Sequence, residues 1–191
     1  AAPGIMTTAT VVALNTANPA SSHRKLLADA GARMLVTEAA QVRRDLPEVV
    51  RELPDLVRVV VDRAAHTWML PAGVGLDTAT EVATMASSRP SAVVAADGLA
   101  TILYTSGSTG VPRGVTLLHR NLAANTRQIV AYLDPQPDDR QMVVLPFHYS
   151  YGKSLLLTHA AVGACLVVDN RFAYPGAVLE TMGAQAVTTF A

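Results

Sequence analysis

Apolar residues in this chain gather in short runs at two spacings, one suited to strands and one to helices. Thr10 to Leu14 is a β-branched run ending at Asn15 and predicts a strand. Pro19, Ser21 and Ser22 start a helix whose Leu26, Leu27 and Ala30 share one face, and Gly31 stops it. Arg33 to Thr37 predicts a second strand. Strand, helix and strand on short connections predict the βαβ crossover of a parallel sheet.

Between residues 38 and 53, Val42, Leu46, Val49, Val50 and Leu53 keep helical spacing, broken by Pro47. One or two surface helices follow from this, with Arg43, Arg44, Asp45 and Arg51 as a solvated face. Leu56 to Val61 is apolar enough for mid-sheet. His66 to Trp68 reads as a loop in which Trp68 packs. Pro71 to Gly75 turns the chain, and Asp77 or Thr78 can cap a helix running to about Ala86; residues 87–91 show the least pattern. Ile102 to Tyr104 predicts a strand, Leu118 to Leu133 a long helix and Gln141 to Leu145 a strand. Helices over Ser154 to Val162 and Pro175 to Met182 alternate with strands over Ala164 to Val168 and Ala186 to Phe190. The alternation predicts an α/β fold.

Composition narrows the classes. Fifteen Lys and Arg balance fifteen Asp and Glu, so the net charge is zero. That excludes a general affinity for nucleic acid or an acidic membrane surface. No stretch reaches the ~18 apolar residues of a membrane helix, and no signal-peptide pattern opens the chain. The single Cys165 cannot form an internal disulfide, which fits a reducing, cytoplasmic setting. Its apolar neighbours predict a buried structural thiol. His23, in a helix start, reads as a solvated or capping residue.

The chemistry concentrates at Thr101 to Gly114. An apolar strand empties into Thr105-Ser106-Gly107-Ser108-Thr109-Gly110, then Pro112, Arg113 and Gly114. Such a run buries little apolar surface and costs backbone entropy. It offers N–H groups and hydroxyls that approach a polyanion closely, with Arg113 adding charge. A flexible linker would not join a strand to a helical pattern. The mononucleotide P-loop needs Gly, four residues, then Gly-Lys, and no lysine follows the glycines at 107, 110 and 114. A triphosphate cradle remains.

Ile102 to Gly114 resembles the signature loop of the adenylate-forming (AMP-binding) enzymes, and His119 to Leu122 with Asn125 resemble its continuation in acyl-CoA synthetases. Acyl-CoA synthetases and fatty-acyl-AMP ligases are the branch it is most similar to. Leu14-Asn15 through Asp29 to Ala32 resembles the stretch ahead of that loop, which shapes the fold. The resemblance implies a mostly parallel sheet with helices on both faces. Residues 1–191 would be part of the large N-terminal domain, with no second complete domain. It implies that a carboxylate attacks the α-phosphate of ATP, giving acyl-AMP and pyrophosphate, before transfer to coenzyme A or an acyl-carrier protein. Thr105, Ser106, Gly107, Ser108, Thr109, Gly110 and Arg113 would hold the nucleotide, and Arg113 would stabilise the departing pyrophosphate. The family usually carries lysine where Arg113 stands; arginine keeps the charge and adds a planar fork. The helix from Leu118 is expected to face its N-terminus back toward the loop, favouring an anion there. His119 is expected to serve the helix start.

The second informative stretch is Leu145-Pro146-Phe147-His148-Tyr149-Ser150-Tyr151-Gly152. In parallel α/β sheets ligands gather at the carboxyl ends of strands, and both stretches follow strands. Taken alone, His148 reads as a buried structural histidine. In acyl-CoA synthetases a similar Pro-Phe-His motif lines the carboxylate's entry, which implies substrate-binding roles for Phe147, His148 and Tyr149 and a catalytic one for His148. Amino-acid-activating relatives place aspartate at this position; an imidazole has no reason to hold an ammonium, which favours an acid without an α-amino group. Lys153 reads as a helix-surface residue.

The magnesium ligand, the adenine and ribose motifs and the lysine of the family's small C-terminal domain have no counterparts here, so the chain alone is expected to turn over little. Two other readings stand beside the ligase: a non-catalytic nucleotide-binding or scaffold domain of the same fold, and an aminoacyl-adenylating domain.

Overall fold

The computed structural model describes residues 9–41, 49–50, 52–63, 70–85, 94–105 and 112–190. Residues 106–110 of the glycine-hydroxyl run, most of the 42–53 charge cluster, His66 to Trp68 and residues 87–91 lie outside the described residues. Nine strands are described: β1 (Val11–Val12), β2 (Met34–Thr37), β3 (Arg58–Val61), β4 (Gly75–Thr78), β5 (Leu99–Thr105), β6 (Arg113–Leu118), β7 (Arg140–Val143), β8 (Cys165–Val168) and β9 (Thr189–Phe190). The helices are α1 (Ala20–Asp29), α2 (Ala79–Met85), α3 (His119–Leu133), α4 (Ser150–Val162) and α5 (Pro175–Ala184). Three sheets run in the orders β1-β5-β6, β2-β3-β4 and β8-β7-β9. The pairs β1–β5, β2–β3, β3–β4, β7–β8 and β7–β9 are all parallel, as an α/β protein requires.

The chain divides into two compact units. One comprises Leu14–Ala92 with Tyr104–Gly114. Its core gathers Leu27, Val49, Val50, Leu53, Leu56, Val59 and Val61. The expected mid-sheet strand is the central β3, pairing Val59 with Leu35 on one side and Leu76 on the other. Its Val59 and Val61 are almost wholly buried, which explains why β3 carries no alternating polar face. Thr78 caps α2: its N–H and hydroxyl both donate to Glu81 Oε2, and its hydroxyl accepts from Glu81 N–H.

The other unit comprises Ala1–Ala13, Val93–Leu103 and Val115–Ala191. Its core joins Met142, Val144, Val167 and Val178, drawn from β7, the turn after it, β8 and α5. At the exit of β8, buried Asp169 accepts from Arg171 Nε, Nη2 and N–H and from the Thr181 hydroxyl, pinning α5 to the sheet. The Arg171 hydrogen bonds hold this carboxyl well below the usual carboxylate range.

Several expectations change. The first strand–helix–strand stretch is not a crossover within one sheet, because two-residue β1 pairs with β5 while β2 pairs with β3. Short hydrophobic runs specify a strand but not its partner. Two strands went unforeseen: β4, with sequence Gly-Leu-Asp-Thr, and β6, which stands between the glycine-hydroxyl run and α3. The expected facing of that run by α3 involves residues outside the described ones; what is described is how the N-terminus of α3 is satisfied. Its His119 and Arg120 N–H groups donate to the Gly98 and Ala96 carbonyls, and Asn121 Oδ1 takes the Leu118 N–H, leaving these donors occupied. His23 is buried, its Nε2 2.8 Å from the Asn15 carbonyl oxygen, so it ties α1 to the preceding turn. Cys165 is exposed, because it opens the edge strand β8.

Candidate functional site

The candidate residues fall in the two units. In the first, β5 ends at Thr105 and β6 begins at Arg113, so these two residues bracket the glycine-hydroxyl run. The Thr105 hydroxyl donates to the Arg113 carbonyl oxygen at 3.4 Å, a long bond across the mouth of the loop. Both residues are exposed. Among the described residues the Arg113 guanidinium has no ion-pair or hydrogen-bond partner, so its charge remains available to an anion. One residue before the mouth, Tyr104 reaches back to α1: its hydroxyl donates to Asp29 Oδ2 at 2.5 Å and lies 3.3 Å from the Leu26 carbonyl oxygen. That anchor sets where β5 releases the chain.

In the second unit, Phe147, His148 and Tyr149 occupy the turn between β7 and α4. Phe147 and His148 are half-buried and Tyr149 is exposed. The His148 and Tyr149 rings lie 4.2 Å apart, tilted at 47°. The His148 Nε2 is buried without a hydrogen-bond partner among the described residues. Burial pushes the imidazole below its ordinary pKa, so it is neutral at neutral pH. A neutral, unsatisfied imidazole nitrogen can hydrogen-bond an oxyanion, and it offers no negative charge to an ammonium.

The turn is held by close backbone packing. The Tyr149 N–H donates to the Pro146 carbonyl oxygen at 3.2 Å, and the Lys153 N–H donates to the Tyr149 carbonyl oxygen at 3.1 Å. Gly152 lies so near the Leu145 and Pro146 carbonyls that any Cβ would collide with backbone. The glycine ending the Pro-Phe-His stretch is therefore a close-approach residue.

Lys153 departs from expectation. Helix α4 starts at Ser150, four residues earlier than the apolar pattern predicts, and carries Lys153 inward to 7% exposure. Its ammonium donates to the Thr101 hydroxyl on β5 at 2.6 Å. Thr101, itself fully buried, donates onward to the Val11 carbonyl oxygen of β1 at 2.5 Å. No carboxylate among the described residues pairs with Lys153, and burial lowers its pKa from 10.5 to about 8. The sequence did carry a signal: Lys153 precedes Leu155, Leu156 and Leu157 in a helix with little polar face to offer a lysine.

Parallel sheets with helices between their strands define an α/β protein. A family model for AMP-binding enzymes matches residues 5–191, and the chain belongs to that family. It is 33% identical over 171 residues to 4-coumarate–CoA ligase 5 of Oryza sativa subsp. japonica, covering 82% of this chain and 29% of that protein. It is 43% identical over 81 residues to nonribosomal peptide synthetase 30 of Fusarium vanettenii, covering 41% of this chain and 1% of that protein. The crystal structure of ATP-bound MatB from Rhodopseudomonas palustris superposes with a TM-score of 0.68 at 25% identity, over 95% of this chain and 33% of that one. The chain thus spans under a third of the length of these relatives. Among the described residues no group of three or more His, Cys, Asp or Glu side chains could hold a metal ion. No helix of the described residues is long and apolar enough to cross a membrane.

Proposed function

We propose that this chain forms part of the N-terminal domain of an ATP-dependent acid–thiol ligase. It would act in the cytoplasm on a carboxylic acid without an α-amino group. The reaction joins the carboxylate to the α-phosphate of ATP, releasing pyrophosphate, and passes the acyl group to coenzyme A or a carrier protein. Thr105, Ser106, Gly107, Ser108, Thr109 and Gly110 supply hydroxyl and N–H donors to the triphosphate. Arg113, whose guanidinium is unengaged among the described residues, balances charge on the departing pyrophosphate. Phe147 and Tyr149 flank His148, which receives the acid's carboxylate. The Mg²⁺ that accompanies ATP would neutralise phosphate charge, and its ligand lies outside this chain.

The observation that carries this reading is the neutral His148 at the exit of β7, whose Nε2 has no partner among the described residues. An unsatisfied buried nitrogen costs stability unless a ligand meets it. The chemistry it offers suits an oxyanion, and the name of the rice relative is that of a ligase for an acid without an amino group.

The test is isotope exchange between pyrophosphate and ATP in the full polypeptide carrying this sequence, with aliphatic acids, aryl acids and amino acids as separate panels. Exchange with aliphatic or aryl acids, lost in His148→Ala, is the expected result. Exchange confined to amino acids would overturn the substrate class. No exchange with any acid would favour a nucleotide-binding scaffold.

A further inference from the structure

The Lys153 ammonium has no obvious structural reason to be buried. It meets one neutral acceptor, Thr101 Oγ1, and no carboxylate among the described residues. A charge withdrawn from water with a single neutral hydrogen bond is a net cost to folding. The hydroxyl does not need the lysine either, since Thr101 donates its own proton to the Val11 carbonyl. A methylene chain of the same length would fill the same space without that penalty.

What the ammonium does accomplish is mechanical. Its backbone N–H is bonded to Tyr149, one residue from His148, and the neighbouring Gly152 is in backbone contact with Leu145 and Pro146. The start of α4 and the turn at residues 145–149 therefore move together. Among the described residues the one polar link from this assembly to β5 is the bond from Lys153 to Thr101, four residues before Thr105.

We propose that Lys153 is a positioning residue, which fixes the Phe147–Tyr149 turn by tying the first turn of α4 to strand β5 through the Thr101 hydroxyl. Lys153 touches no reacting atom; it sets where His148 stands when the acid arrives. This rests on the proposed acid-binding role of His148.

The test uses the full polypeptide, with acid and ATP varied separately in the exchange assay. Lys153→Met keeps the volume and removes the charge, Thr101→Val keeps the shape and removes the hydroxyl, and Thr101→Ser retains the acceptor. Lys153→Met and Thr101→Val should each raise the KM for the acid by about tenfold, with kcat and the KM for ATP within about twofold. The double variant should be no worse than either single change, since both cut one link. Thr101→Ser should behave as the parent. An unchanged acid KM in Lys153→Met, or a matching rise for ATP, would overturn the proposal.

Thermal unfolding separates positioning from simple support. Lys153→Met should melt no lower than the parent, whereas Thr101→Val, which strands the ammonium, should melt lower. A lower melting temperature for Lys153→Met would mean the lysine serves the fold, and the proposal would fall. If the parent exchanges with no acid, the His148 reading fails first. The His148 imidazole NMR signal then decides: Lys153→Met should shift it if the tie sets the turn, and an unmoved signal would refute the tie.

Discussion

The Tyr104 hydroxyl donates to the Asp29 carboxylate at 2.5 Å, joining the last turn of α1 to the end of the strand that releases the glycine-hydroxyl run. Burial first, then the hydrogen bond and negative charge of Asp29, hold the phenolic proton far above its ordinary pKa of 10.0. Below that value the phenol is protonated in both the folded and unfolded chain. Above it the unfolded chain ionises while the folded one does not, so this bond's stabilisation is lost as pH rises. Tyr104→Phe should cost about 1 kcal/mol at neutral pH and flatten the alkaline decline, as followed by urea unfolding across that range.

Gly152 predicts a sharper effect. A Cβ there would meet backbone atoms of Leu145 and Pro146, which cannot rotate away as a side chain end can. Gly152→Ala should destabilise by about 3 kcal/mol and displace the Phe147–Tyr149 turn. Gly176→Ala, in α5 with nothing within 4 Å of its added Cβ, is the control. It should be neutral or stabilise by up to about 1 kcal/mol. Thermal melts of the two variants side by side make the comparison.

Arg113 carries the proposed phosphate role through a charge that no described residue pairs. Arg113→Ala should lower kcat/KM for ATP about tenfold in pyrophosphate exchange, mainly through kcat, while leaving the KM for the acid unaltered. Arg113→Lys should recover most of the loss, because lysine serves phosphate as a point charge. An equal loss in both variants would mean that the planar fork, and not the charge, makes the contact.

The buried Lys153 gives a pH dependence of opposite sign to that of Tyr104. Burial lowers its pKa from 10.5 to about 8, so below about 8 both states are protonated and the folded chain bears the full burial penalty. Between 8 and 10.5 the folded chain sheds its proton before the unfolded one, and stability rises. Lys153→Met should abolish this rise. Melting curves of both proteins on either side of pH 8 measure it.

Much of the architecture was legible because hydrophobic spacing is local. Helices α1, α3 and α5 start within two residues of where caps, prolines and apolar stripes place them, and β3 is the central strand its Val-Val-Val run implies. The strands β4 and β6 were not legible, since Gly-Leu-Asp-Thr and Arg-Gly-Val-Thr-Leu-Leu draw their strand character from the neighbours they pair with. Burial of individual polar residues was the least legible property. His23 and Lys153 look like surface residues in sequence, and Cys165 looks like core; the folded chain buries the first two and exposes the third.

The order of residues alone determined that this is an α/β chain with two chemically distinctive strand exits, one followed by Arg113 and the other by His148. Those properties depend on side-chain chemistry and on spacing over a few turns. Tertiary structure decided which strands pair, that the α3 N–H groups are already spent on Ala96 and Gly98, and that a lysine lies buried against Thr101. Each of these depends on partners up to 90 positions distant, and a hydrogen bond's partner is a fact of space that local periodicity does not encode.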